Sequence, residues 1–166
     1  MHRLKAATAT HHERLERRVD IASRVGSRDA YRELLERLYG FYRPVEARLE
    51  PFAVPAVTPK LPLLVADLEE LGSDPANLPL ARRLPAVRDL REALGVSYVL
   101  EGATLGGAVI AKLARRELGV QAAFFGAYGR DVARRWRAFG AVVDEHGAEC
   151  AAAVACFEDL EAWLCG

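Results

Sequence analysis

Residues 98–112 have the sequence Tyr98-Val-Leu-Glu-Gly-Ala-Thr-Leu-Gly-Gly-Ala-Val-Ile-Ala-Lys112, which predicts a helix with three glycines in its interior. Each interior glycine costs a helix about 1 kcal/mol relative to alanine, so Gly102, Gly106 and Gly107 together cost about 3 kcal/mol. Gly102 and Gly106 lie four residues apart and therefore share one helix face. That face presents bare backbone, which favours close contact with a flat ligand or with a second helix.

The composition predicts a soluble protein that forms one domain over residues 1–166. Hydrophobic residues make up 51% of the chain and charged residues 28%, which is typical of globular proteins. The 23 basic residues balance the 23 acidic ones, so no net field would attract nucleic acid or an anionic membrane. The chain shows no secretory leader and no uncharged apolar stretch of membrane-spanning length, which predicts a cytoplasmic protein.

Apolar residues recur at helical spacing almost throughout the chain, which predicts an all-α, single-domain helical bundle. Ser27 is a candidate N-cap for the second helix, and Pro44 is expected to kink that helix or to interrupt it. Gly72 and Gly119 are expected stop signals. The predicted helical segments cover about residues 4–19, 28–45, 63–71 and 85–94, then a separate glycine-bearing helix that ends near 118, and finally about 130–145 and 148–164.

Two adjacent histidines, His11 and His12, lie on the first predicted helix. Neighbouring helical residues diverge by about 100°, so only one of them can face a given pocket. Glu16 lies one turn beyond His12 and could accept the imidazole Nδ1 proton, directly or through water, which would leave Nε2 free as a ligand. From the residues alone, a solvated or hydrogen-bonded histidine remains the commoner alternative.

Several chemistries have little support in the sequence. There is no His-Glu-x-x-His zinc motif, no phosphate-binding loop, no Cys-x-x-Cys pair and no nucleophile elbow. The three cysteines are odd in number and lack metal-type spacing, which argues against a disulfide framework or a zinc site. Hydrolase and nucleotide chemistry are therefore disfavoured.

Four blocks, in chain order, resemble the heme oxygenases, in particular the bacterial biliverdin-producing enzymes that often accompany bacteriophytochromes. Leu4-Lys-Ala-Ala-Thr-Ala-Thr-His-His-Glu-Arg-Leu-Glu16 is similar to the proximal helix of that family, in which Leu-Lys-x-Ala-Thr precedes a histidine and, four residues later, a glutamate. Residues 98–112 are similar to the distal helix, whose glycines lie over the heme. The remaining blocks are Leu38-Tyr-Gly-Phe-Tyr-Arg43 and Phe124-Phe125 followed by Arg134-Arg-Trp-Arg137.

The resemblance implies a bundle that holds heme between the first helix and a kinked, glycine-rich distal helix. In the register of the family, His12 is the iron ligand and Glu16 orients it. Tyr42 matches a tyrosine of the distal hydrogen-bond network, although a core tyrosine is an equal alternative. The other heme-binding residues that the resemblance implies are Gly102, Gly106 and Gly107 above the ring, and Lys5, Arg134 and Arg137 at the propionates.

The resemblance also implies an activity. Heme b would be both cofactor and substrate, cleaved at a meso carbon by O2 and external electrons to biliverdin, carbon monoxide and ferrous iron. A ferredoxin or flavoprotein reductase would supply the electrons, because the chain has no flavin or nicotinamide fingerprint, and a phytochrome could accept the biliverdin.

Ala103 is the main departure from the family pattern, because animal members carry an aspartate there that orders distal water. Glu101 lies two residues earlier, on another side of the helix, and is a poor substitute. Two alternatives to the enzyme therefore remain: a carrier or sensor that binds heme without degrading it, and a helical interaction module whose glycines only pack helices.

Overall fold

The computed structural model describes residues 1–166 and contains helices and connecting loops but no strands. This confirms the all-α prediction. Short single-turn helices also occur at Glu50–Phe52, Pro75–Asn77 and Gly129–Asp131. The α-helices are α1 (His2–Val19), α2 (Ile21–Arg24), α3 (Arg28–Leu49), α4 (Leu61–Glu70), α5 (Leu90–Leu118), α6 (Val132–His146) and α7 (Cys150–Cys165).

Helix α7 occupies a central place because it packs along both α1 and α5. Helix α6 packs on another side of α5, and α4 packs against α3. The apolar stripes of these helices meet in one continuous cluster of 35 buried residues, so the chain has a single hydrophobic core. Helices α1 and α5 therefore share α7 as a packing partner.

Helix α3 begins after Ser27, as predicted, because the Ser27 hydroxyl accepts a hydrogen bond from the Ala30 N–H. It then continues through Pro44 without interruption. The missing proline N–H frees the carbonyl of Gly40, and the N–H of Ala81 donates to that carbonyl at 2.9 Å. A loop from elsewhere in the chain thus satisfies the group that the proline leaves unpaired.

Helix α5 is longer than predicted, since no separate segment precedes it over residues 85–94. The helix begins at Leu90, where the Asp89 carboxylate accepts a hydrogen bond from the Glu92 N–H at 2.9 Å. Gly95 does not end it, because this glycine allows close contact with the backbone of Glu149 before α7. The helix stops where predicted, with Gly119 in the left-handed conformation at a φ of 65°.

Helix α5 also comes closer to the composition of a membrane span than the sequence analysis allowed. An 18-residue window within it has a mean hydropathy of 1.4. However, 56% of that window is buried inside the bundle, mainly by α6 and α7. Its hydrophobicity is therefore explained by its position as the core helix.

Candidate functional site

The candidate site is the region between α1 and α5, two helices that both pack on α7, and we call this region the groove. On α1 it begins at His12. The His12 side chain is 56% exposed, and its Nδ1 lies 3.5 Å from the Glu16 carboxylate. Its ring meets the ring of Phe157 on α7 edge to face, with 5.9 Å between centroids. The Glu16 carboxylate and the Phe157 ring together orient the imidazole, and Nε2 has no partner within the protein.

The neighbouring His11 has different surroundings. Its side chain is only 18% exposed and faces α7, where Nδ1 lies 4.0 Å from the Glu158 carboxylate. The buried Nδ1 makes no hydrogen bond. Of the two histidines, the structure therefore exposes His12 to an external ligand and packs His11 against the bundle.

The second side of the groove is the open face of α5. Gly106 has no neighbouring atom within 4 Å of the position that a β-carbon would occupy, and at Gly102 the nearest is the Trp136 ring at 3.8 Å. Leu105 and Val109 follow the same helical stripe and are 45% and 72% exposed. Bare backbone and exposed aliphatic side chains thus form one apolar surface on α5.

Gly107 does not belong to that surface, which departs from the prediction that it binds heme together with Gly102 and Gly106. A β-carbon at residue 107 would lie 2.5 Å from the carbonyl oxygen of Phe125, so this glycine is required by close packing against the 124–125 segment. Asp67 holds that segment in place by accepting the N–H groups of Ala123 and Phe124 at 2.7 and 2.9 Å.

The predicted cations differ in how free they are. Lys5 is exposed seven residues before His12, on the same face of α1, and it makes no ion pair. Arg137 on α6 is exposed and also unpaired. Arg134, by contrast, forms a two-point contact with Asp131, with distances of 3.0 and 3.1 Å. Lys5 and Arg137 are therefore the more available partners for a ligand carboxylate.

Tyr42 is a fully packed core tyrosine whose ring meets the Phe124 ring edge to face, with 5.2 Å between centroids. Burial raises the pKa of its phenol well above the ordinary value. Tyr42 also lines a small cavity of about 10 Å³ together with Lys60 and Ala103. That volume is close to the minimum for a single water molecule, which needs about 10–15 Å³.

The polar cluster beside this cavity was not predicted from the sequence. Lys60, at the start of α4, forms a buried ion pair with Glu101 of α5, and the Tyr128 hydroxyl bonds to both. The signal was present in part, since a carboxylate inside the apolar run of residues 98–112 must find a partner. Nothing in the local pattern identifies Lys60 as that partner.

A larger concave region than this cavity lies elsewhere. It has a volume of about 390 Å³ and is lined by the ends of α1 and α7 and by α3, including Arg18, Glu33 and Arg37. None of the predicted site residues borders it. Its arginines are already engaged, for example Arg18 with Glu161 at 2.8 Å, so it offers no comparable case for ligand binding.

The sequence model of the heme oxygenase family matches residues 1–159. The chain belongs to the heme oxygenase family. A solved structure, that of heme oxygenase from Leptospira interrogans, is similar to this chain with a TM-score of 0.76, covering 98% of this chain and 96% of that one. At 17% identity, the likeness to this family member shows the shared fold alone. A search of curated proteins gave no significant match.

The groove fits the ligand for which the family is named. A heme requires a flat slot, an imidazole on one side and close backbone on the other. His12 offers a free Nε2, and Gly106 leaves open the space that a side chain would fill. Lys5 and Arg137 leave two cations without carboxylate partners. No other histidine or cysteine cluster suited to iron is present, since no group of three metal-binding side chains forms.

Proposed function

We propose that the protein is a heme oxygenase that binds heme b between α1 and α5 and cleaves it to biliverdin, carbon monoxide and ferrous iron. The observation that carries the proposal is the pairing of an exposed, Glu16-oriented His12 with an open glycine face at Gly102 and Gly106. Membership of the family supports the same activity. Heme bound there is the substrate and also the centre at which O2 is reduced, with electrons from an external donor.

The protein's own groups orient the heme. In the proposal, Nε2 of His12 holds the iron, and the Glu16 carboxylate accepts a hydrogen bond from Nδ1–H, which fixes the tautomer and orientation of the ring. Lys5 and Arg137 pair with the propionates at the mouth of the groove and set how the ring is seated. Bare backbone at Gly102 and Gly106 lies against the other face of the ring and excludes bulk water from it.

Proton supply on the glycine side cannot use a carboxylate at position 103, because that residue is Ala103. The small cavity that Ala103 shares with Tyr42 and Lys60 offers an alternative place for a water molecule. The Tyr42 phenol keeps its proton at neutral pH, because burial raises its pKa. In the proposal, Tyr42 therefore acts as a neutral hydrogen-bonding group rather than as a base.

A heme carrier or sensor is the second candidate, and Ala103 is the observation that favours it. Without a distal carboxylate, bound heme could persist instead of being degraded.

The proposal for the enzyme also includes a cytoplasmic location, a ferredoxin or flavoprotein reductase as electron donor and a phytochrome as acceptor of biliverdin.

Aerobic turnover distinguishes the two candidates. The hemin complex is mixed with a ferredoxin and its reductase, with catalase present to remove hydrogen peroxide, and the products are followed by absorption and chromatography. The enzyme predicts loss of the Soret band and one equivalent of biliverdin, with no product from His12→Ala. A reduced complex whose Soret band persists in air would instead identify a carrier or sensor.

A further inference from the structure

A buried charged cluster lies beside residues 102–107 of α5, which we call the glycine segment. The proposed reaction gives this cluster no role. The side chains of Lys60 and Glu101 are each only 3% exposed and form an ion pair with one another. The Tyr128 hydroxyl joins them, since it accepts a hydrogen bond from Lys60 Nζ at 2.9 Å and donates one to Glu101 Oε1 at 3.1 Å. Glu101 immediately precedes Gly102, so the cluster holds α5 where its bare face begins.

The hydrogen bonds of the lysine are complete. An ammonium has three protons to donate. Those of Lys60 go to Glu101, to the Tyr128 hydroxyl and to the carbonyl of Thr58, the last at 2.6 Å. Since no donor is left over, the pair is a fixed element of the site rather than a free source of protons.

The charges around Tyr128 balance. Glu46 on α3 accepts the backbone N–H of Lys60 at 2.6 Å, which adds a second carboxylate to Glu101. Arg135 on α6 stacks on the Tyr128 ring at 4.9 Å from its centroid, which adds a second cation to Lys60. Lys60, Glu101 and Arg135 contact Tyr128, and Glu46 contacts the backbone of Lys60, so this cluster of two carboxylates and two cations has no formal net charge when all four are ionised.

Stability alone does not account for such an arrangement, because a buried ion pair is often no better than a well-packed apolar pair. Its location supplies a second observation. Lys60 lines the small cavity together with Ala103, an exposed residue of the glycine segment. An unbalanced charge at Lys60 or Glu101 would therefore act on anything bound against that segment.

We propose that Lys60 and Glu101 are positioning residues that connect α5 to Tyr128. Because their charges cancel, heme bound in the groove does not bind small anions in preference to neutral ligands. The proposal rests on the proposed function, which requires heme to accept a neutral diatomic gas, O2, on this side. Removing one member of the pair leaves the charge of the other uncompensated. At an effective dielectric constant of about 20, one charge located about 10 Å from a bound anion changes the affinity for that anion about tenfold.

Binding of azide and imidazole to the ferric hemin complex tests this at pH 7. Azide binds as an anion and imidazole binds in its neutral form, so imidazole, with its affinity expressed per neutral molecule, controls for changes in shape. The full chain is compared with Lys60→Met, Glu101→Gln and the double variant. We expect azide to bind about five- to tenfold more weakly to Lys60→Met and more tightly to Glu101→Gln by a similar factor. The double variant should return to the parental value, and imidazole affinity should change less than about twofold throughout.

Azide affinities that move in the same direction in both single variants, or that follow imidazole, would overturn the proposal. If circular dichroism shows that the single variants do not fold, Lys60→Arg retains the charge and the pairing. Its azide-to-imidazole affinity ratio must then equal the parental ratio, and a fivefold difference would overturn the proposal. A parental chain without a Soret band would reject the proposed function itself, which is a separate and visible result.

Discussion

At the scale of single residues, two neighbouring histidines differ in exposure because the helix turns them toward different surroundings. His11 is held between α1 and α7, whereas His12 extends into the groove with Glu16 behind it. Their spacing identifies the pair, but only the packing of α7 decides which imidazole is free. The register of the family resemblance had selected His12, and the exposures of the two side chains agree with that choice.

Tyr31 provides a test of residue energetics that is independent of heme. Its side chain is fully buried, and its hydroxyl has no hydrogen-bond partner. A buried unsatisfied hydroxyl costs about 1–3 kcal/mol, so we expect Tyr31→Phe to raise the free energy of unfolding by about 1 kcal/mol. Urea denaturation measures the change. Tyr128→Phe is the matched control and should lower stability, because it removes a hydroxyl that bonds Lys60 and Glu101.

At the scale of elements, α5 combines glycines that serve different purposes. Gly107 and Gly95 allow backbone segments to approach the helix closely, whereas Gly106 leaves open space. The sequence pattern could not separate these roles, because all of them lie in one apolar helical run. Packing of the 124–125 segment and of α7 decides the difference, and both lie far along the chain from the glycines that they contact.

Alanine substitutions at Gly106 and Gly107 should therefore have opposite effects on the apoprotein. Gly106→Ala adds a helix-favouring residue in open space and should raise the free energy of unfolding by about 0.5–1 kcal/mol. Gly107→Ala should lower it, because its β-carbon would lie 2.5 Å from the Phe125 carbonyl oxygen.

Heme affinity gives the second measurement on the same pair. We expect Gly106→Ala to weaken hemin binding at least about tenfold, or 1.4 kcal/mol, although it stabilises the fold. Unchanged hemin binding by a more stable Gly106→Ala protein would show that the open face of α5 is not the site.

Much of the secondary structure could be predicted because its signals are local. Ser27 caps α3 and Gly119 stops α5, and each acts within a turn of its own position. Long-range pairs could not be predicted in this way. Lys60 and Glu101 are 41 residues apart, and the carbonyl that Pro44 frees on Gly40 is satisfied by Ala81. The prediction of a separate helical segment over residues 85–94 is wrong. Gly95 resembles a helix stop signal, but close packing against the start of α7 requires this glycine.

At the scale of the whole molecule, buried phenols make the fold sensitive to alkaline pH. Burial raises the pKa of Tyr31 and Tyr42 above the ordinary value of 10.0. The folded chain therefore keeps protons that the unfolded chain releases above pH 10. The free energy of unfolding should fall as the pH rises past 10, by up to about 1.4 kcal/mol per pH unit for each tyrosine.

Urea denaturation at pH values from 9 to 11 measures this slope. Tyr42→Phe and Tyr31→Phe should each make it shallower, since each removes one buried phenol. A slope that neither substitution changes would mean that other groups control alkaline unfolding.

The arrangement of the bundle distinguishes the proposed heme site from simple helix packing. Helices α1 and α5 both pack on α7, with His12 exposed on α1 and bare backbone open at Gly106 on α5. An interaction module would need the glycines only for helix packing, which explains Gly107 but not Gly106.

Titration of the purified protein with hemin tests this claim most directly, with His12→Ala and His11→Ala measured in parallel. We predict a Soret band that saturates at one equivalent, is retained in His11→Ala and is lost or strongly weakened in His12→Ala. An identical band in parent and His12→Ala, or no band in the parent, would contradict the assignment of His12 as the heme ligand.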